Sequence, residues 1–139
     1  MNEEHRTNSG ALVDLLSCAE RVEQELRLPN ETLWFLSSDS TAVYEAAVVQ
    51  ELKKRRKLVH FDERIFHVDG VNANAPTRVS LQQIEGALDG YVSHYMISRA
   101  SAVVMGESSF SLTAAQIGAS PFVFFHGNGS CLRVDMSAL

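Results

Sequence analysis

The sequence predicts an α/β fold in which helices cover both faces of a Rossmann-like parallel sheet. Short, almost wholly apolar segments alternate along the chain with segments whose apolar residues recur at helical spacing. The apolar segments lack the polar alternation of half-exposed strands, so both faces of the sheet must be covered. The 139 residues, 45% of them hydrophobic, are enough for one ordinary domain. We therefore expect a single domain over 1–139, with its core at 9–126 and a tail at 127–139.

The first part of the chain is predicted to run helix, strand, helix, strand. Asn8 or Ser9 is placed to cap a first helix that ends before Pro29. A strand at 32–37 follows, then a second helix capped by Asp39 or Ser40, a strand at 57–61, a further strand at 65–68 and a loop at 72–76. The apolar positions of the two helices are Leu12, Leu15, Leu16, Ala19, Val22 and Leu26, and Val43, Ala46, Ala47 and Leu52.

The second part is predicted to contain two helices and two strands. Ser80 and Gln83 form a capping box that opens the longest helix. A strand at 102–105 then leads into a helix that begins near Ser109 and stops at Gly118, and a last buried strand occupies 121–125. The buried face of the longest helix is expected to comprise Ile84, Leu88, Tyr91, Val92 and Tyr95.

Composition excludes several classes of function. Twelve basic against 17 acidic residues give a net charge of −5, which argues against a general affinity for nucleic acid. The basic run at 53–57 falls at a helix end and is interpreted as a solvated face. No apolar stretch suits a membrane span or a signal peptide, and the five histidines have no metal-ligand spacing, so no metal is expected. Whether Cys18 and Cys131 form a disulfide stays open.

Three loops follow predicted strands, at 37–41, 106–109 and 126–129. In an open parallel sheet, ligands bind beyond the carboxyl ends of the strands. The loop at 106–109 has the best chemistry, because Gly106 lets a ligand approach the backbone while Ser108, Ser109 and the amides of a helix N-terminus can donate to phosphate. The alternative is that these serines, like Asp39 after the first strand, only cap helices. A serine hydrolase is not favoured, because the second glycine of a nucleophile elbow is missing and His126 precedes Asp135.

Three segments carry a resemblance to a known family. Residues 33–43 read LWFLSSDSTAV, 96–104 read MISRASAVV, and 106–115 read GESSFSLTAA. Together they resemble the donor-binding carboxyl-terminal half of GT-B fucosyltransferases, in the protein O-fucosyltransferase and α1,6-fucosyltransferase group. The likeness extends over about residues 6–125.

The resemblance implies roles for individual residues. Ser108, Ser109 and Phe110 match the turn that holds the nucleotide diphosphate, next to Gly106. Asp39 matches the aspartate of the family's strand-turn motif, which implies a structural or a nucleotide-side role. Ser93 stands where the family usually has an acidic residue that contacts the base. The family's HxR motif, whose arginine offsets the charge of the departing diphosphate, has His5 and Arg6 as its counterpart, which makes Arg6 the catalytic candidate.

Our leading hypothesis is the GDP-fucose-binding half of a fucosyltransferase-like enzyme that needs a second, acceptor-binding domain for transfer. No cofactor is implied, and the resemblance points to the Golgi or ER lumen, although the chain shows no signal peptide or anchor. The first alternative is a non-catalytic α/β regulatory or interaction module whose strand-end loops are only caps. A different small-ligand α/β enzyme ranks third, because no set of acid, base and nucleophile assembles from the sequence.

Overall fold

A computed structural model describes residues 3–61 and 81–138 of the chain. The predicted strand at 65–68, the loop at 72–76 and the cap Ser80 lie outside these residues. The helices are α1 (Glu3–Glu25), α2 (Thr41–Glu45), α3 (Ala47–Lys54), α4 (Leu81–Ser98) and α5 (Ser109–Ile117). The strands are β1 (Trp34–Phe35), β2 (Leu58–Val59), β3 (Val103–Met105), β4 (Val123–Gly127) and β5 (Ser130–Val134), and a 3-10 turn follows at Met136–Ala138.

The described strands form two small sheets, which confirms a mixed α/β fold. β1 and β2 pair in parallel, and β3 pairs in parallel with β4. β5, however, pairs antiparallel with β4. In the described ranges, two separate sheets therefore stand in place of the expected single parallel sheet. β1 of one sheet and β3 of the other both line a cavity of about 440 Å³, which α1 also borders.

The segment at 127–139, set apart from the core by the sequence, contributes a strand. Asn128 and Gly129 both have positive φ, at 50° and 74°, and connect β4 to β5. Two central residues with positive φ define the tight turn whose twist matches that of the flanking strands. The predicted loop at 126–129 is thus mostly hairpin, and the segment at 127–139, expected to be a tail, includes strand β5.

Helix α1 packs against both sheets. Leu12 and Leu16 are buried in one cluster with residues of β1, α2, α3 and β2. One to two turns further on, Cys18 and Val22 are buried against Phe124 of β4. The predicted apolar stripe and the end of the helix before Pro29 are confirmed. The predicted start is wrong, because Asn8 and Ser9 lie inside the helix, which begins at Glu3.

The second predicted helix is divided into α2 and α3. Ala46 adopts an extended conformation, with φ −58° and ψ 137°, and so interrupts the helical hydrogen bonding. The Gln50 side-chain amide donates to the Tyr44 carbonyl at 2.6 Å and so connects the two helices across the break. Ser40 occupies the N-cap position of α2, but its side chain makes no cap hydrogen bond, and Asp39 is not at the cap.

The largest error of the sequence prediction concerns α4. Ile84, Leu88, Tyr91, Val92 and Tyr95, expected to be buried, are all exposed. The buried face instead carries small residues and Ile97, which packs in one cluster with Ala114 and Ala115 of α5. Small side chains on both helices allow a close approach that large apolar side chains would prevent. The buried residues of α4 include Gly86, Ser93, Ile97 and Ser98.

A charged cluster joins α1 to the first sheet. Lys57 Nζ lies 2.6 Å from Glu23 Oε1 and donates to the Thr32 carbonyl at 2.8 Å, while Trp34 Nε1 donates to Glu23 Oε2 at 2.9 Å. The ammonium also lies 5.0 Å from the Trp34 ring centroid, within the range of a cation–π contact. Lys57 is therefore part of the packing, whereas the remaining residues of the basic run, at 53–56, are exposed as expected.

Helices α1, α3 and α5 end in the same way, with a non-glycine residue at positive φ just beyond the helix. These residues are Arg27, Arg56 and Ala119, with φ of 52°, 56° and 49°. Beyond α5, the Ala119 amide donates to the Gln116 carbonyl at 3.2 Å and the Ser120 amide to that of Ala115 at 3.1 Å. This is the Schellman hydrogen-bond pattern, which usually has glycine at the left-handed position.

We expect Ala119→Gly to raise the free energy of unfolding by about 1 kcal/mol, because a left-handed conformation costs roughly that much for a residue with a Cβ atom. The control is Ala114→Gly inside α5, which should lower the free energy of unfolding by at least about 1 kcal/mol. Both changes are measured by denaturant unfolding. A destabilised Ala119→Gly variant would show that this helix end does not carry the strain.

Candidate functional site

The turn between β3 and α5 lies at the carboxyl end of the parallel pair β3–β4. Ser108 is the N-cap of α5, and its Oγ accepts a hydrogen bond from the Ser111 amide at 3.2 Å. Ser108 therefore has the capping role that the sequence analysis gave as the alternative to ligand binding. A hydroxyl that accepts through one lone pair still has its proton to donate, so capping leaves Ser108 able to contact an anion.

The next two residues begin the helix. Ser109 and Phe110 are exposed, and the amides of a helix's first turn have no partner within the helix. The Phe110 ring contacts His94 of α4 edge-on, with centroids 5.1 Å apart. Thr113 Oγ1 lies 2.9 Å from the Ser109 carbonyl, to which it donates, and 3.1 Å from His94 Nε2. Contacts with α4 thus hold the turn that carries the exposed Ser109.

An open recess of about 480 Å³ borders this turn. Gly106, Glu107, Ser108 and Ser109 line one side. A Cβ atom at Gly106 would meet only the His126 carbonyl oxygen, at 3.9 Å, so packing does not require glycine there. Glu107 is exposed and places a negative charge beside the turn. The remaining wall is apolar and consists of Met105, Leu112, Phe125 and Val134.

Asp39 lies in the loop that follows β1, a strand of the other sheet, and does not line this recess. It is exposed within a loop that Tyr44 holds in place: the Ser38 amide donates to the Tyr44 hydroxyl at 2.7 Å, and that hydroxyl donates to the Ser38 carbonyl at 2.9 Å. The Tyr44 ring stacks on His60, with centroids 4.2 Å apart. This role of Tyr44 was not predicted, because it depends on contacts with Ser38 and His60 that no local sequence pattern indicates.

The remaining two candidate residues are Ser93 and Arg6. Ser93 is fully buried in α4 and so has no surface to offer a ligand at this edge. Arg6 belongs to the helical backbone of α1, and its side chain lies outside the described residues. The structure therefore brings together Gly106, Ser108, Ser109 and Phe110 but adds neither Asp39 nor Ser93 to them.

Comparisons with protein families, curated proteins and solved structures find no match to this chain.

His126 and Asp135 have other partners than a nucleophile. His126 Nε2 donates to the Ala11 carbonyl at 3.1 Å. Asp135 accepts from Ser137 Oγ at 2.6 Å and from the Ser137 amide at 3.0 Å, and these hydrogen bonds lower the pKa of the exposed carboxyl below its usual value.

Residues 3–61 and 81–138 contain no cluster of ligands suited to a metal ion. None of the helices there combines the length and hydropathy needed to cross a bilayer.

Proposed function

We propose that this chain binds the diphosphate of a nucleotide sugar, GDP-fucose by resemblance, at the turn between β3 and α5. The observation that carries the proposal is a pair of exposed serines at the start of α5, Ser108 at the N-cap and Ser109 in the first turn, which border an open recess. The amides of this turn and the positive end of the helix dipole favour an anion at the same place. The recess also has room for the rest of a ligand of this class.

Gly106 supports the same position for the ligand. Neither φ nor packing requires a glycine there, since a Cβ atom would be only in ordinary contact with the His126 carbonyl. A glycine that the fold does not need is what close approach of a phosphate to the backbone would require. The wider proposal is a Rossmann-like domain in which the described parallel pairs belong to the donor-binding half of a GT-B enzyme.

In the complete enzyme, the chemistry assigned to this chain is electrostatic. As the bond to the sugar breaks, negative charge develops on the departing diphosphate, and the α5 N-terminus with Ser108 and Ser109 stabilises that charge. Arg6 is the proposed cationic partner. Because acceptor binding is assigned to a second domain, we expect the isolated chain to bind donor without transferring sugar.

The second candidate, a non-catalytic α/β module, is favoured by two observations. Ser93 is fully buried, and the Ser108 hydroxyl already caps α5. On this hypothesis the strand-end turn has only a structural role, and neither GDP nor a related nucleotide binds in the recess.

Calorimetric titration separates the two candidates. We expect GDP and GDP-fucose to bind more tightly than ADP and UDP, and Ser109→Ala to raise the dissociation constant about tenfold or more through loss of a hydrogen bond to a charged group. Gly106→Ala should weaken binding without lowering the melting temperature. The control is Ser101→Ala, an exposed serine that precedes β3 at its opposite end and should leave binding unchanged. Equal binding of all four nucleotides, together with no effect of Ser109→Ala, rejects the proposed function.

A further inference from the structure

Helix α4 presents a continuous apolar face to solvent. Tyr91 is 75% exposed, Leu81 72% and Tyr95 63%. The other members of this face, which we call the α4 face, are between 38% and 56% exposed. Its seven members are Leu81, Ile84, Leu88, Tyr91, Val92, Tyr95 and Met96.

The size of the α4 face points to a protein partner. Its side chains expose on the order of 700 Å² together, which exceeds the roughly 300–600 Å² of the largest apolar patch on a typical monomer. The value is close to the area of about 800 Å² that each partner buries in a standard protein–protein interface. A patch of this kind is usually covered in the functional state of a protein.

The spacing of the α4 face identifies the partner element as another helix. Leu81, Ile84, Leu88, Tyr91 and Tyr95 are separated by three, four, three and four residues. This is the a and d spacing of a heptad, which keeps one narrow seam facing a helix that packs alongside. The tyrosines and the methionine of the α4 face are residue types that are enriched in protein–protein interfaces.

We propose that the α4 face binds the α4 face of a second copy of this chain, with the two helices antiparallel. In this arrangement, Leu88 packs against Tyr91 of the second copy and Ile84 against Tyr95, and the two-fold axis repeats each contact. The face is thus self-complementary, as a closed two-fold dimer requires. The inference does not depend on the proposed nucleotide site.

The charges beside the face are compatible with this pairing. In antiparallel pairs of helices, the e positions of the heptad face each other and so do the g positions. This places Glu85 beside Val92 of the second copy, and Ala87 beside His94 of the second copy. No two acidic residues of the described helix oppose each other across the seam. Asp89 lies on the outer side of the heptad and stays away from the axis.

Sedimentation velocity of the full chain tests the proposal. We expect the 15.3 kDa chain to form a concentration-dependent dimer. Leu88→Glu should raise the dimer dissociation constant at least about a hundredfold, because the symmetric interface would bury two carboxylates. The matched control is Leu132→Glu on β5, an exposed leucine of similar exposure, which should leave the dimer intact.

A mixing experiment tests the helix direction. Tyr91→Lys alone should also dissociate the dimer, whereas an equimolar mixture of Leu88→Glu and Tyr91→Lys should regain dimer, because the antiparallel register places the new glutamate beside the new lysine. Absence of this rescue rejects the antiparallel register. A wild-type chain that stays monomeric up to about millimolar concentration, or a dimer that Leu88→Glu does not weaken, rejects self-association through the α4 face.

Discussion

Removal of the Cys18–Cys131 disulfide is expected to lower the free energy of unfolding by about 4 kcal/mol. The bridge joins α1 to β5 across 113 positions of sequence, with the two Cα atoms 5.4 Å apart. Such a long closed loop restricts the unfolded chain strongly, and chain-entropy arguments give up to about 4.7 kcal/mol for a loop of this order. Cys18 is also buried against Val22 and Phe124, so the bridge lies within a packed cluster.

The double variant Cys18→Ala with Cys131→Ala is the appropriate test, because alanine places no new polar group in the cluster. Denaturant unfolding of the oxidised wild-type chain, the reduced wild-type chain and the double variant should give one high and two low stabilities. Reductant should not change the double variant, since the chain has only two cysteines. A loss below about 1 kcal/mol would mean that the bridge adds little to the fold.

Gly118→Ala should cost about 3 kcal/mol or more, the upper end of what an overpacked site usually costs. A Cβ atom at Gly118 would stand 1.8 Å from the Ser98 carbonyl oxygen and 2.6 Å from the Ser98 carbonyl carbon. Both are backbone atoms at the end of α4, so no side chain can rotate to make room. The two helix ends would have to move apart, and the contacts of Ile97 with Ala114 and Ala115 would be weakened as a result.

Gly90→Ala is the matched control within α4. A Cβ atom there meets nothing within 4 Å, so the substitution should add up to about 1 kcal/mol through helix propensity. The two variants make the same chemical change and are expected to shift the unfolding midpoint in opposite directions. If Gly118→Ala unfolds within about 1 kcal/mol of the wild-type chain, the close contact between the ends of α4 and α5 is not maintained in solution.

Local sequence signals predicted the elements better than their packing. The stripe of α1 and its end before Pro29 follow from helical periodicity and from the restrictions that proline imposes. The same periodicity correctly identified α4 as a helix but assigned the wrong face to the core. An apolar stripe shows that a surface needs a partner, but the buried positions of α4 include the small residues Gly86 and Ser93, which periodicity of large apolar residues does not detect.

The carboxyl-terminal hairpin was predictable in part. Asn128 and Gly129 form the dipeptide that most strongly indicates a tight hairpin turn, yet the polar residues after it obscured the strand. The disulfide could not be predicted from local sequence patterns, because Cys18 and Cys131 come together only when α1 packs on the second sheet. At the candidate site, the glycine and serines of the turn were predicted together, while the contact between His94 and Phe110 depends on the packing of α4 against α5.

The bridge between Cys18 and Cys131 makes most of the polypeptide a covalent ring. A protease that cuts once inside this ring, for instance after the exposed Arg56, opens the ring without releasing a fragment. On a denaturing gel without reductant the nicked chain keeps the mass of the intact one, and its two pieces separate only after reduction. In an oxidising compartment, a single nick would therefore leave the two pieces of the molecule joined.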